Sequence, residues 1–95
     1  MKQEIKSVII KIRDVLNNND EGIYAGEFEY LNAQLESDYS EALYNIKRLY
    51  GGAGTFNNVV LHKNGWPLRE ENEDLTALRH KLYILTSEEL DRQRR

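Results

Sequence analysis

The chain contains no cysteine, which excludes a disulfide framework, thiol catalysis and thiolate metal sites. That absence fits a reducing cytosol, so the expected compartment is cytoplasmic. Long hydrophobic runs are missing too. The opening residues, MKQEIKSVIIKIRDVL, are amphipathic, but polar residues interrupt each apolar run before it reaches signal-peptide length. No stretch approaches the roughly 18 apolar residues of a membrane span. Period-two alternation never lasts long enough to demand a strand. No serine stands in a nucleophile elbow. The two histidines, His62 and His80, have no cysteine or carboxylate at metal-ligand spacing and read as surface groups.

Cations are absent from one long window. Between Asp20 and Glu41 stand seven acids (Asp20, Glu21, Glu27, Glu29, Glu36, Asp38 and Glu41) and no lysine or arginine. The net charge of −3 is mild, but a one-signed window repels nucleic acid and attracts a basic surface. Nucleic-acid binding is therefore a poor expectation. Near the start, Lys2, Lys6, Lys11 and Arg13 are offset by Glu4 and Asp14, which weakens any membrane-surface role.

What is present is helical periodicity. Ile5, Val8, Ile9, Ile12, Val15 and Leu16 recur at helical spacing and predict an amphipathic helix over residues 3–16. The run NNNDEG, Asn17 to Gly22, breaks it, because these residues favour turns and caps. Tyr24, Phe28, Leu31 and Leu35 predict a second helix, in which Gly26 costs about 1 kcal/mol relative to alanine. Ser37 or Asp38 supplies the next N-cap, and Glu41 stands three residues past Asp38 as a capping box requires. Ala42, Leu43, Ile46, Leu49 and Tyr50 predict a third helix that stops at Gly51. The segment FNNVVLH reads equally as one helical turn or a short extended piece. KNGWP reads as a turn, with Asn64-Gly65 supplying positive φ and Pro67 opening the last element. Leu68, Leu75, Leu78, Leu82 and Leu85 then form the longest apolar stripe. Glu70, Glu71, Glu73 and Asp74 lie in its first turns, where they complement the helix dipole. The expectation is a single all-α domain over residues 1–95. It is a compact bundle of about four main helices with a Gly-rich turn between the third and fourth, and residues 87–95 form a solvated, frayed tail.

Four of the six glycines fall between Leu49 and Leu68, and GGAG packs three of them into four residues. A phosphate loop needs N–H groups fanned around an anion at a helix N-terminus that follows a strand. Here the glycines follow a helix, no Gly-Lys-Ser/Thr appears, and Gly51 reads as a left-handed C-terminal closure. They turn the chain. The stretch LYGGAGTFNNVVLHKNGWPLREENEDLTALRHKLYIL resembles a family of small bacterial all-helical proteins with a Gly-Gly-x-Gly-Ser/Thr-x-Asn-Asp/Asn core and a short apolar run. The resemblance is best over residues 39–85. Gly51, Gly52, Gly54, Thr55, Asn57, Asn58 and Leu61 match as they stand, while Ala53 replaces a frequent methionine and Asn58 the commoner aspartate. The family brings no agreed activity, so the resemblance implies the fold. Proteins of this look are also similar in size to bacterial immunity proteins, which neutralise a cognate toxin.

Six tyrosines accompany the acids. Tyr24, Phe28 and Tyr50 fall on apolar stripes, whereas Tyr30 and Tyr44 lie off them and are expected at the surface. Exposed tyrosine beside carboxylates suits an interface anchor, and the charge speeds encounter with a basic partner. The leading expectation is a non-enzymatic binding protein, an immunity protein that covers a basic toxin such as a nuclease. Its expected partner-binding residues are Asp20, Glu21, Glu27, Glu29, Tyr30, Glu36 and Asp38. No catalytic residue, metal or cofactor enters that expectation. The plainer alternative is a solvated acidic face over core aromatics.

An enzyme reading rests on Asp38-x-x-Glu41, Glu70-x-x-Glu73 and Glu71-x-x-Asp74. Pairs spaced i, i+3 share a helix face, and two such helices could hold Mg²⁺ for water attack on a phosphoanhydride. The pattern is similar to the all-α nucleoside triphosphate pyrophosphohydrolases. Capping and the helix dipole already account for these acids, however, and no flanking cations receive a triphosphate. A third possibility is a homodimer formed through the Leu68–Leu85 stripe. Trp66, beside Pro67, is expected to lid the bundle end or, if exposed, to join the candidate interface.

Overall fold

A computed structural model describes residues 1–19, 21–51, 56 and 59–94. Four helices carry the fold: α1 (Lys2–Asn18), α2 (Gly22–Ser37), α3 (Tyr39–Arg48) and α4 (Arg69–Gln93). Between the last two lies a two-stranded hairpin, β1 (His62–Lys63) and β2 (Trp66–Pro67). The helices pack in a closed ring, α1 on α2, α2 on α3, α3 on α4 and α4 on α1. The all-α bundle expected from the periodicity is what forms.

The apolar stripes define the core. Ile5, Val8, Ile9, Ile12 and Leu16 of α1 are buried against Phe28, Leu31 and Leu35 of α2, Ala42, Leu43 and Ile46 of α3, and Leu75, Leu82, Leu85 and Leu90 of α4. Each such side chain removed from water contributes about 1.5–3 kcal/mol. Of the α4 stripe, Leu75, Leu82 and Leu85 are buried inside the chain, while Leu68 and Leu78 are partly buried. Within α1 the break falls where the asparagines stand. The Asn19 side chain donates to the Val15 carbonyl at 2.7 Å, and the Glu21 N–H donates to that of Leu16 at 2.9 Å.

The Asp38 carboxylate accepts the Glu41 N–H at 3.3 Å and caps α3 as expected. The reciprocal half of the box is not made: the Asp38 N–H instead donates to the Gln34 carbonyl at 2.7 Å, closing α2. One residue thus ends one helix and starts the next.

Five expectations change. Gly51 does not close α3 in a left-handed conformation, since Gly65 is the glycine with positive φ among the described residues. The helix instead tightens through three successive i to i−3 bonds, from Leu49 to Ile46, Tyr50 to Lys47 and Gly51 to Arg48. Gly52, Ala53, Gly54, Thr55, Asn57 and Asn58 lie outside the described residues. A strand pair does form, because Asn64 (φ 55°) and Gly65 (φ 83°) both adopt the positive φ of a type I′ hairpin turn. Two-residue strands are too short for alternation to announce them. Pro67 ends β2 instead of opening α4, pairing with His62 across the hairpin while Trp66 pairs with Lys63. Trp66 is 76% exposed and lids nothing. The expected tail is largely helix: α4 runs on to Gln93 and buries Glu89 and Leu90.

Its last turns are held from α3. Glu89 is only 4% exposed, accepts from the Tyr39 phenol at 2.9 Å and from Arg92 Nη2 at 2.8 Å, and Ser40 Oγ donates to Gln93 Oε1 at 3.1 Å. Burial pushes the Glu89 carboxyl up, but hydrogen bonds from Arg92 and Tyr39 outweigh it and leave the carboxyl below its usual range. Burial, then the bond to Glu89, pushes the Tyr39 phenol well above its usual value.

At the other end α3 stops short, and Phe56 fills the space. It is 1% exposed, meets Phe28 edge-to-face at 4.8 Å and Tyr50 at 6.3 Å. Leu61 is fully buried beside it, and the Asn72 side chain treats it as a strand neighbour would. Asn72 Oδ1 accepts the Leu61 N–H at 2.7 Å, while its Nδ2 donates to the Leu61 carbonyl at 3.0 Å. That pairing fixes the incoming chain on α4.

Candidate protein-binding face

The outward face of α2 is set by helical spacing. Phe28, Leu31 and Leu35 point into the core, so Ile23, Gly26, Tyr30 and Ala33 come out opposite them, with Glu27 beside Ile23 and Tyr30. Ile23 is 86% exposed and Tyr30 65%. Between α2 and α3 runs a groove of about 440 Å³ lined by Gly26, Glu27, Tyr30, Leu31, Asn45 and Leu49. A second depression of about 390 Å³ at the start of α2 is lined by Glu21, Gly22, Ile23, Tyr24 and Glu27. Glu27 stands on the rim shared by both. The missing side chain at Gly26 leaves the helix backbone open to close approach, with no other atom within 4 Å of where a Cβ would lie.

The seven expected partner-binding residues are not brought together as one patch. Asp20 lies outside the described residues. Glu36 is held between two ammonium groups of α1, Lys6 at 2.6 Å and Lys2 at 3.0 Å. Hydrogen bonds from Lys6 and then Lys2 hold its carboxyl below the usual range. Glu29 faces Arg13 at 3.9 Å, a guanidinium whose nearer partner is Asp14 at 3.0 Å. Asp38 is occupied with the α3 cap. The window free of cations in sequence is thus answered in space by α1, which lies alongside α2. Exposed pairs of this kind add little stability, but they cancel the local field.

Glu21, Glu27 and Tyr30 remain. Glu21 occupies the N-cap position of α2 and makes no side-chain capping bond. Neither Glu21 nor Glu27 has an ion pair among the described residues. The negative ground therefore contracts to the first half of α2. The expectation missed Ile23, the most exposed large apolar side chain described. Its signal was available: it lies seven residues before Tyr30, two helical turns along the same face. Tyr44 is 45% exposed on α3, as its place off the apolar stripe predicts.

The carboxylate pairs of the enzyme reading are separated. Asp38 and Glu41 sit where α3 begins, beside the end of α4 that carries Gln93. Glu70, Glu71, Glu73 and Asp74 occupy the opposite end of α4, about 30 Å away at 1.5 Å per residue. Among the described residues no group of three or more histidines and carboxylates is placed to hold a metal ion. Among the same residues, no helix is long and apolar enough to cross a membrane.

Neither a curated protein nor a solved structure matches this chain. A family model does match, over residues 17–69, from the end of α1 through α2, α3 and the hairpin to the first residue of α4. That span is more than half of the chain and carries the whole outward face of α2. The chain belongs to the family described as Domain of unknown function (DUF6966).

Proposed function

We propose that this chain is a non-enzymatic binding protein, an immunity protein that neutralises a basic bacterial toxin by covering it with the outward face of α2. The observation that carries the reading is Glu27, unpaired among the described residues and set between exposed Ile23 and Tyr30 on one helix face. Apolar and phenolic anchors supply contact area, while the free carboxylates at 21 and 27 steer a cationic surface into place. A toxin that acts on nucleic acid has such a surface, since it must hold phosphates. Covering it needs no catalytic set, metal or cofactor on this chain. A cytoplasmic site of action fits the cysteine-free composition.

The test is kinetic. The chain is mixed with a basic nuclease-toxin domain, taken from a neighbouring gene where one is encoded, and association is followed at low and high salt. Glu27→Lys should slow association and weaken neutralisation while the helical circular dichroism spectrum stays unchanged. If the reversed variant protects as well as the parent chain, the α2 face is not the binding surface.

A further inference from the structure

Arg79 stands out among the cations of this chain. It is half-buried on α4, yet no described carboxylate lies within ion-pair distance of it. Its guanidinium lies over the Phe56 ring at 4.9 Å, and Nη2 donates to the Val59 carbonyl at 2.9 Å. Its Nε is buried and has no hydrogen-bond partner. A guanidinium carries five N–H donors and no acceptor, and buried charges are ordinarily paired. Among the described residues, this one donates a single bond, to a neutral carbonyl.

The surroundings do not offset the charge. Arg79 lines a pocket of about 380 Å³ with Tyr50, Thr76, His80 and Tyr83, none of them acidic. Tyr50 is oriented there by a 2.7 Å bond to the Arg79 carbonyl and by edge-to-face contact with Tyr83 at 5.1 Å. Across the Tyr83 ring, 3.9 Å from its centroid, stands the Lys47 ammonium. Lys47 is also half-buried, and its bond goes to the neutral Ser87 hydroxyl at 2.8 Å. Two sheltered cations therefore flank one aromatic wall with no carboxylate between them among the described residues. Burial lowers the Arg79 pKa, a direction that an incoming anion would reverse.

We propose that Arg79, with Tyr50, Thr76, His80 and Tyr83, forms a pocket for the oxyanion of a small ligand, a phosphate or a carboxylate group. The anion takes the unused Arg79 donors, the Thr76 hydroxyl and His80 contribute polar contacts at the rim, and the tyrosine rings wall the pocket. This site lies on α4, away from the α2 face, and does not depend on the function proposed above.

The experiment uses the whole chain, labelled with ¹⁵N, and follows the Arg79 side-chain Nε–Hε signal. Inorganic phosphate and acetate are titrated separately against sodium chloride of equal ionic strength. Saturable movement of that signal at roughly millimolar anion, with backbone shifts at 76, 80 and 83, supports the pocket. Phosphate alone saturating assigns it to a phosphate group; saturation by both extends it to carboxylates. If neither anion moves the signal beyond the chloride control, the proposal is wrong. Arg79→Lys keeps the charge and loses the fork, so binding should fall about tenfold or more; binding equal to the parent's would also overturn the assignment. Should that variant fail to fold, His80→Ala, at an exposed position, should weaken binding about two- to threefold, and an unchanged affinity would count against the pocket as drawn.

Discussion

Lys6 Nζ stands 2.6 Å from Glu36 Oε1, thirty positions along the chain. With Lys2 on the other oxygen at 3.0 Å, both oxygens of that exposed carboxylate are already paired with α1 and offer little to a cationic partner. Glu27 has no such companion among the described residues. Neutralising the two should therefore have unequal effects. Glu27→Gln is expected to slow association with a basic partner several-fold at low salt, with the difference shrinking as ionic strength rises. Glu36→Gln should change the rate less than twofold. Stopped-flow association at two salt concentrations checks both, and equal effects would show that the pairing does not decide which acids matter.

The Tyr39–Glu89 bond predicts acid sensitivity. The Glu89 carboxyl is held below its usual range in the folded chain. Its contribution is therefore present at pH values above the ordinary glutamate pKa of about 4.3 and is lost as pH falls through the lower folded value. Glu89→Gln should lower stability at pH 7 by about 1–3 kcal/mol and flatten the pH dependence below about pH 5. Urea unfolding at several pH values measures both. Tyr39→Phe should lower stability by a comparable amount, since it removes a hydrogen bond to a charged, buried acceptor.

Much of this bundle could be read from spacing alone, because Ile5, Val8, Ile9 and Ile12 can face one way only on a helix. What could not be read were relationships between distant residues. Glu88 and Glu89 look like the start of a polar tail until Tyr39, fifty positions earlier, supplies a donor for one of them. Glu29 and Glu36 look unanswered until α1 lies beside them with Lys2, Lys6 and Arg13. Phe56 could not be placed from its neighbours because its partners, Tyr24, Phe28 and Tyr50, come from α2 and from the turn just past α3. The hairpin was half-legible: Asn64-Gly65 gave the turn, but strands of two residues leave no alternation to see.

Asn72 is expected to be sensitive to isosteric change. Its amide donates to one group of Leu61 and accepts from the other, a pair of roles that aspartate cannot play. Asn72→Asp keeps the acceptor, loses the donor and sets a negative charge near the Leu61 carbonyl. Thermal unfolding should show a loss of about 1–3 kcal/mol, larger than for Asn45→Asp, which loses one donor to the Gln34 side chain and keeps the oxygen that accepts from Arg48. Equal losses at the two positions would mean that Leu61 is held by packing alone.

Gly26 separates folding from binding. It lies mid-helix and exposed, with space for a Cβ. Gly26→Ala should raise stability by about 0.5–1 kcal/mol. If a partner approaches the α2 backbone closely, the same methyl weakens binding. A variant that melts higher yet protects less well would be the expected signature, read by calorimetry and by a neutralisation assay.

Helix α3 has ten residues and α4 twenty-five, so one end of α4 projects past α3. A single phenyl ring at 56 and one amide at 72 do the work that two further turns of α3 would do in an evenly matched bundle. Removing either anchor should therefore loosen that end of the bundle while the far end, tied by the Tyr39–Glu89 bond, stays shut.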